Sequence, residues 1–286
     1  MTSPAPRSVS IAAGLAPQLI VTDLDGTFLM PDGSVSATNC AAVVAAQEAG
    51  VPVLFATGRP VRWLDVVRDL PGAHPTVIAS NGAVLYDLGA DVVLDRICID
   101  PQVALRTAAA LREALPGTSF AFESGTRFGH EPAYRTAISP DQVKAAMFCG
   151  PAEEIAHATP FVKMLVQNDL VSPDELAALL VDVVGDTLTV THSARADHGL
   201  VEVSAPGVSK ASMLMRVCAQ LGVPRAAVAA FGDMPNDLDM LTWVGMPRVV
   251  ANAHPALLDL GFPVVGSNVD SGVGRTIVDW LRSVER

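Results

Sequence analysis

Three short apolar runs, each closed at once by a cluster of polar residues, constrain this chain more than any other feature. They are Gln18-Leu-Ile-Val-Thr-Asp23, Val51-Pro-Val-Leu-Phe-Ala-Thr57 and Val228–Phe231. A continuous β-branched run of this length predicts a strand buried on both faces, as in a parallel sheet. Between the first two, Ala37 to Gly50 has helical composition, with Ser36 or Thr38 as N-cap and Gly50 as the stop. A second helix is predicted over Val61 to Leu70, ended by Pro71-Gly72, and a further strand, Thr76 to Ser80, meets the turn pair Asn81-Gly82. The order β-α-β-α-β predicts a parallel sheet with right-handed crossovers.

The rhythm then changes. From Ala83 to Ser204 the pattern is one of hairpins with interposed helices: helices Pro101 to Leu115 and Pro173 to Val184, and strands Ser119–Glu123, Arg127–Glu131, Phe161–Gln167, Leu188–His192 and Leu200–Val203. Paired strands of this kind predict an antiparallel α+β module. The parallel pattern resumes with helix Ala211 to Leu221, strand Val228–Phe231, helix Asp237 to Val244 and a last helix Gly274 to Val284. The reading is an α/β core of residues 1–83 and 205–286, interrupted by an inserted unit of residues 84–204 and hinged at Ala83 and Ser204. Insertions fall in exposed loops.

Composition narrows the function. Thirty acidic against nineteen basic residues give a net charge of −11, which disfavours nucleic acid as a partner. An anionic substrate would then need a local positive centre, such as a metal ion. Only three lysines occur, Lys144, Lys163 and Lys210, so a lysine inside a motif calls for a reason. The four cysteines, Cys40, Cys98, Cys149 and Cys218, have no metal or redox spacing and read as free buried thiols of a reducing compartment. No apolar stretch is long enough to span a membrane. The weakly apolar run Val9 to Ala16 follows one Arg7 and contains Ser10 and Gly14, which argues against an export signal. The expectation is a cytoplasmic protein, a monomer or homodimer, without membrane or nucleic-acid partners.

Each polar cluster has a bland alternative. Asp23-Leu-Asp-Gly-Thr27 could be a turn, although the spacing of an EF-hand loop is missing. Thr57-Gly-Arg59 could be a helix cap. Gly232-Asp-Met-Pro-Asn-Asp237 packs three carboxylate or amide groups into five positions after a strand, which suits a metal or phosphate site. Lys210 precedes a helix, where its charge opposes the helix dipole. Ligands of open parallel sheets bind outside the carboxyl ends of the strands, where all three clusters would fall.

Taken in this order, the clusters resemble the haloacid dehalogenase (HAD) superfamily of phosphohydrolases, and within it the Cof-type branch with a large cap inserted between the second and third motifs. Asp23-Leu-Asp-Gly-Thr27 matches the first motif, Thr57-Gly-Arg59 the second, Lys210 the third and Gly232-Asp-x-x-Asn-Asp237 the fourth. The likeness extends to Ser80-Asn-Gly-Ala83, Asp239-Met-Leu241 and Ala251-Asn-Ala253. It implies a Rossmann-like core, an α+β cap and hydrolysis of a small phosphorylated metabolite. Asp23 would be the nucleophile, forming an aspartyl-phosphate, and Asp25 the general acid and then base. Mg²⁺ would bind the Asp23 carboxylate, the Asp25 main-chain carbonyl and Asp233. Thr57, the Gly58 N–H, Lys210 and Asn236 would hold phosphoryl oxygens, with Asp237 orienting the lysine and the metal shell. A carboxylate at Asp25 favours ester hydrolysis over dehalogenation. A phosphomutase on the same scaffold, or a non-catalytic phosphometabolite-binding protein, are the competing readings.

Arg59, Asn81 and Asn252 are candidate substrate contacts beside the core strand ends. In the cap, Arg127 and His130 flank a hairpin of the kind that selects leaving groups in this family. The loop histidines His192 and His198, with Arg195, read as solvated.

Overall fold

In a computed structural model, residues 17–135, 147–191 and 199–284 are described. The expectations for Val9–Ala16, and for His192, Arg195 and His198, lie outside the described residues. The strands in chain order are β1 Leu19–Thr22, β2 Val53–Ala56, β3 Ala73–Ala79, β4 Val84–Asp87, β5 Val92–Arg96, β6 Ser119–Glu123, β7 Phe128–His130, β8 Met147–Cys149, β9 Lys163–Asn168, β10 Thr189–Thr191, β11 Gly199–Ser204, β12 Val228–Gly232, β13 Met246–Val250 and β14 Val264–Val265. They form two sheets: an eight-stranded one ordered β14-β13-β12-β1-β2-β3-β4-β5 and a six-stranded one ordered β10-β11-β9-β6-β7-β8.

From β14 to β3 the first sheet is parallel. Its central strands β1, β2 and β12 are buried along their whole length, as expected where helices cover both faces. The helices of this half are α1 Ala37–Glu48, α2 Asp65–Arg68, α6 Lys210–Leu221, α7 Leu238–Trp243, α8 Pro255–Leu258 and α9 Gly272–Val284. Those between β5 and β11 are α3 Pro101–Ala114, α4 Ala152–Ala158 and α5 Pro173–Val184. Ser36 caps α1 by accepting from the Asn39 N–H.

Three expectations are corrected. The chain does not leave the first sheet at Ala83. The turn at Ser80–Gly82 reverses it into β4, which pairs antiparallel with β3, and β5 pairs antiparallel with β4. The chain therefore passes to the second sheet after Arg96, and β11, the last strand of that sheet, ends at Ser204. The helix predicted over Val61 to Leu70 is a 3₁₀ turn, Val61–Trp63, followed by the single turn α2. Its first residues are committed elsewhere, the Trp63 carbonyl to Arg59 and the Arg62 side chain to Glu123 of the second sheet. Of the four thiols, all free, only Cys218 is buried, and Cys98 and Cys149 are exposed.

The second sheet is antiparallel except for β7 with β8. Strands β6 and β9 and helices α3 and α5 build its apolar side, with Phe122 and Phe161 edge-to-face at 4.9 Å. Among the described residues no helix is long and apolar enough to cross a membrane.

Candidate active site

The carboxyl ends of β1, β2 and β12 carry the three polar clusters to one edge of the first sheet. β1 lies between the other two, and Thr22 is in register with both Phe55 and Phe231. Beyond it the chain tightens through Asp25 and Gly26, with Gly26 at φ +80°. A Cβ here would stand 2.3 Å from Asp233 Oδ2, so only glycine lets this turn close on the β12 loop. Thr27 Oγ1 donates to Asp233 Oδ1 at 2.9 Å, and Asn252 Nδ2 donates to the Gly26 carbonyl at 2.7 Å.

Lys210 is the first residue of α6, whose N-cap Ser209 accepts from the Ser212 N–H. Its side chain is fully buried, and Nζ donates to Asp23 Oδ1 at 2.5 Å and to Asp237 Oδ1 at 2.7 Å. The other Asp237 oxygen accepts from the main-chain N–H groups of Asp233 and Met234. Carboxylate oxygens of Asp23, Asp233 and Asp237 lie within 4.8 Å of one another. Burial is the main force lifting the Asp23 carboxyl well above the usual carboxylate range; Lys210 opposes it, while Asp237 and Asp233 add to it. Burial pulls the Lys210 ammonium the other way, but Asp23 and Asp237 outweigh it and hold the lysine charged. That removes the puzzle of a lysine at a helix start: two carboxylates neutralise it.

Asp25 takes a different path. Its carboxylate turns to Arg59, which binds both oxygens, Nη2 to Oδ1 at 2.6 Å and Nε to Oδ2 at 2.7 Å. Such a fork is specific to arginine. Hydrogen bonding to Asp25 is the leading cause of the raised Arg59 pKa. Thr57 is buried, and its Oγ1 accepts from the Arg59 N–H, leaving the hydroxyl proton to donate.

Ser80, Asn81 and Gly82 follow with φ of +51°, +57° and +96°. For the two non-glycine residues this conformation costs about 1–3 kcal/mol each. At Gly82 a Cβ would meet the Ser209 carbonyl at 2.1 Å, so the turn packs directly on the start of α6. Asn81 Oδ1 accepts from Asn236 Nδ2 at 3.0 Å. Asn81 Nδ2 donates to Glu202 Oε2 at 2.6 Å and to Thr191 Oγ1 at 3.2 Å, both on the second sheet.

The sequence candidates therefore separate. Asp23, Lys210, Asp233 and Asp237 form one buried group, Asp25 and Arg59 a pair beside it, and Asn81 and Asn236 a bridge toward the second sheet. Asn252 ties the Gly26 carbonyl to the Asn268 N–H. Arg127 and His130 stand apart: Arg127 is exposed on the β6–β7 hairpin, and the His130 ring meets the Glu131 carbonyl and stacks on Phe128. Gly125 of that hairpin nevertheless approaches Val84 of the first sheet.

Sequence reasoning missed Thr27, Arg62, Glu123, Lys163 and Glu202. Arg62 pairs with the buried Glu123, whose pKa is raised chiefly by burial. Lys163, on β9, is 2% exposed, and its Nζ donates to the Gly58 carbonyl at 2.8 Å and to Glu202 Oε1 at 2.6 Å. The scarcity of lysine was the one sequence signal that pointed at Lys163.

Comparisons with known proteins bear on the family and the fold. A family model described as haloacid dehalogenase-like hydrolase matches residues 20–277. A Streptococcus pyogenes serotype M6 protein whose name proposes a phosphatase is 24% identical over 278 residues, spanning 92% of this chain and 98% of its own. Among solved structures, a protein of Streptococcus mutans UA159 superposes with TM-score 0.79 at 20% identity, over 93% of this chain and all of that one. A sugar phosphatase of HAD subclass IIB superposes with TM-score 0.75 at 17% identity, over 92% and 98% of the two chains.

Proposed function

The chain belongs to the haloacid dehalogenase-like hydrolases, and from that premise we propose that it hydrolyses small phosphomonoesters through a phosphorylated Asp23, with Mg²⁺ as cofactor. The observation that carries this reading is the single ammonium of Lys210 set between Asp23 and Asp237, with Asp233 closing the group.

The residues present fit a hard dication. Three buried carboxylates against one ammonium leave excess negative charge where little water can screen it, and all the donors are oxygens. Asp23, Asp233 and the Asp25 main-chain carbonyl would hold the ion, while Asp237 is committed to Lys210 and two N–H groups. When bound, Mg²⁺ supplies neutralisation of the charge on the phosphoryl oxygens.

A carboxylate is a weak nucleophile, so positioning and charge compensation do most of the work. Lys210 fixes Asp23 Oδ1, and the Asp23 carboxylate forms the new P–O bond as the ester P–O bond breaks. Asp25 delivers its proton to the leaving oxygen, and in the return step takes one from the water that cleaves the aspartyl-phosphate. To do so Asp25 must release Arg59, whose fork suits a phosphoryl group equally well. The Thr57 hydroxyl and the Gly58 N–H would hold phosphoryl oxygens, with Asn236 beside them.

The test is phosphate release from p-nitrophenyl phosphate and a panel of phosphorylated metabolites, with and without Mg²⁺. Release that needs Mg²⁺ and vanishes in Asp23→Asn supports the reading. An Asp23→Asn protein as fast as its parent overturns the nucleophile. Dependence on a bisphosphate activator without free phosphate identifies a phosphomutase, and binding without turnover a phosphometabolite-binding protein.

A further inference from the structure

A further strand end reaches the acidic group, that of β13. In the sheet order β13-β12-β1, the loop after β13 passes the β12 loop to meet the turn after β1. It makes a contact with each. The His254 N–H donates to the Asp233 carbonyl at 2.7 Å, and Asn252 Nδ2 donates to the Gly26 carbonyl at 2.7 Å. Behind Asn252, the Asn268 N–H donates to Asn252 Oδ1 at 2.9 Å, while Asn268 Nδ2 donates to the Leu29 carbonyl at 2.8 Å. A main-chain N–H only donates, so the Asn252 oxygen must face Asn268 and its NH₂ must face Gly26. Residues 251–254 thus bridge main-chain carbonyls of both segments that carry the proposed cation ligands.

The turn held in this way has a defined geometry. Asp25 (φ −77°, ψ 118°) and Gly26 (φ +80°, ψ −9°) have the angles of a type II turn. Types I and II differ by a flip of the central peptide, here the one that holds the Asp25 carbonyl. Asp233 and Asp237 repel the Asp23 carboxylate, a force that spreads the β1 turn from the β12 loop. Lys210 opposes it at the side chains of Asp23 and Asp237. The bridge from β13 opposes it at the main chain of Gly26 and Asp233. An amide suits this task, because it brings no charge into the group. Aspartate, of the same shape, has no proton to give the Gly26 carbonyl when ionised.

We propose that Asn252 is a positioning residue for Mg²⁺ binding, an inference that rests on the Mg²⁺-dependent reading above. Through the Gly26 carbonyl it holds the turn of Asp25 at a fixed spacing from Asp233, so that the cation ligands are gathered before the ion arrives. Groups that orient metal ligands typically change metal affinity about 10- to 100-fold when they are removed.

The experiment measures the Mg²⁺ dissociation constant of the full chain without substrate, from the rise of Tm with added Mg²⁺. Asn252→Ala should weaken Mg²⁺ binding about 10- to 100-fold. In turnover of p-nitrophenyl phosphate the same change should appear as a raised half-saturating Mg²⁺ concentration, with most of kcat recovered at saturating Mg²⁺. Asn268→Ala, which keeps its main-chain bond to Asn252, should lower the metal-free Tm without a comparable change in the Mg²⁺ constant. If Asn252→Ala does not fold, Asn252→Asp replaces it. That variant adds negative charge beside the site, yet it should still weaken Mg²⁺ binding, because the donor to Gly26 is lost. Unchanged Mg²⁺ binding in Asn252→Ala, tighter binding in Asn252→Asp, or equal weakening in Asn268→Ala overturns the proposal. A wild type whose Tm does not respond to Mg²⁺ overturns instead the reading on which it rests.

Discussion

The two sheets use buried charge in opposite ways. At the edge of the first, Lys210 bonds Asp23 and Asp237 with Asp233 beside them, so the group is over-supplied with carboxylates. On the second, Lys163 meets Glu202, and Glu123 meets Arg62 from the turn after β2, each charge matched within the protein. The first arrangement concentrates negative charge at one sheet edge, where the proposed function sets the reaction. The second leaves little net field, because each of these charges has its partner within the protein. The two arrangements lie on elements of different topology and are linked through the Gly58 carbonyl and Asn81.

The sharpest way to break this comparison is to remove the reacting group. Asp23→Asn should lower turnover of p-nitrophenyl phosphate by about 10³-fold or more. Wild-type rates in the variant would mean that the first edge is not the reactive one. Next in size is the contrast between lysines. Lys210→Met strands its carboxylates and should cost about 3–5 kcal/mol in urea unfolding, whereas the double change Lys163→Met with Glu202→Gln should cost within about 1 kcal/mol. Equal costs would erase the distinction between over-supplied and matched charge.

Gly26→Ala forces a side chain into a positive-φ turn and onto Asp233. A loss of about 2–3 kcal/mol is expected from strain and displacement together. Smaller still is the effect of pH on the metal-free protein. Because Asp23 has its pKa raised by folding, the folded state binds that proton more tightly than the unfolded chain. Its contribution is therefore present at low pH and lost as pH rises from the unfolded value through the folded one. In EDTA, Tm should fall as pH rises above the usual carboxylate range for this reason. Added Mg²⁺ should raise Tm more at pH 7.5 than at pH 5, since it binds the ionised carboxylates. Arg127→Ala, on the exposed hairpin, should change stability by less than about 0.5 kcal/mol.

What could be read from sequence follows the same division. Strands β1, β2 and β12 are buried on both faces and so appear as unbroken apolar runs, with Asp23, Thr57 and Asp233 marking their ends. The edge strands escaped. β14 has only two residues, and β5, Val-Val-Leu-Asp-Arg, alternates exposed and half-buried positions, so neither carries a clear signature. Asn81-Gly82 was legible as a turn, but not that it folds the chain back into the same sheet. In the site, the motif residues were legible because polar groups following an apolar strand are costly without a purpose. Lys163 and Glu202 were not, since a lone charge on an alternating strand looks like a solvated face until the other sheet covers it. Asn252 was placed correctly near the strand ends, yet its amide is spent on the Gly26 carbonyl and the Asn268 N–H.

The neighbour of β1 on one side is β2, about thirty residues away in the chain, but on the other side it is β12, in register from Leu19 with Val228 to Thr22 with Phe231. During synthesis the ribosome must therefore deliver some two hundred further residues before that flank of β1 can be zipped. Until then a largely apolar strand has an open edge, the sort of surface that invites aggregation. The inserted sheet can acquire its hydrogen bonds from contiguous chain in the meantime. The buried acidic group is thus completed only when Asp233 and Asp237 emerge and dock beside Asp23, made some two hundred residues earlier.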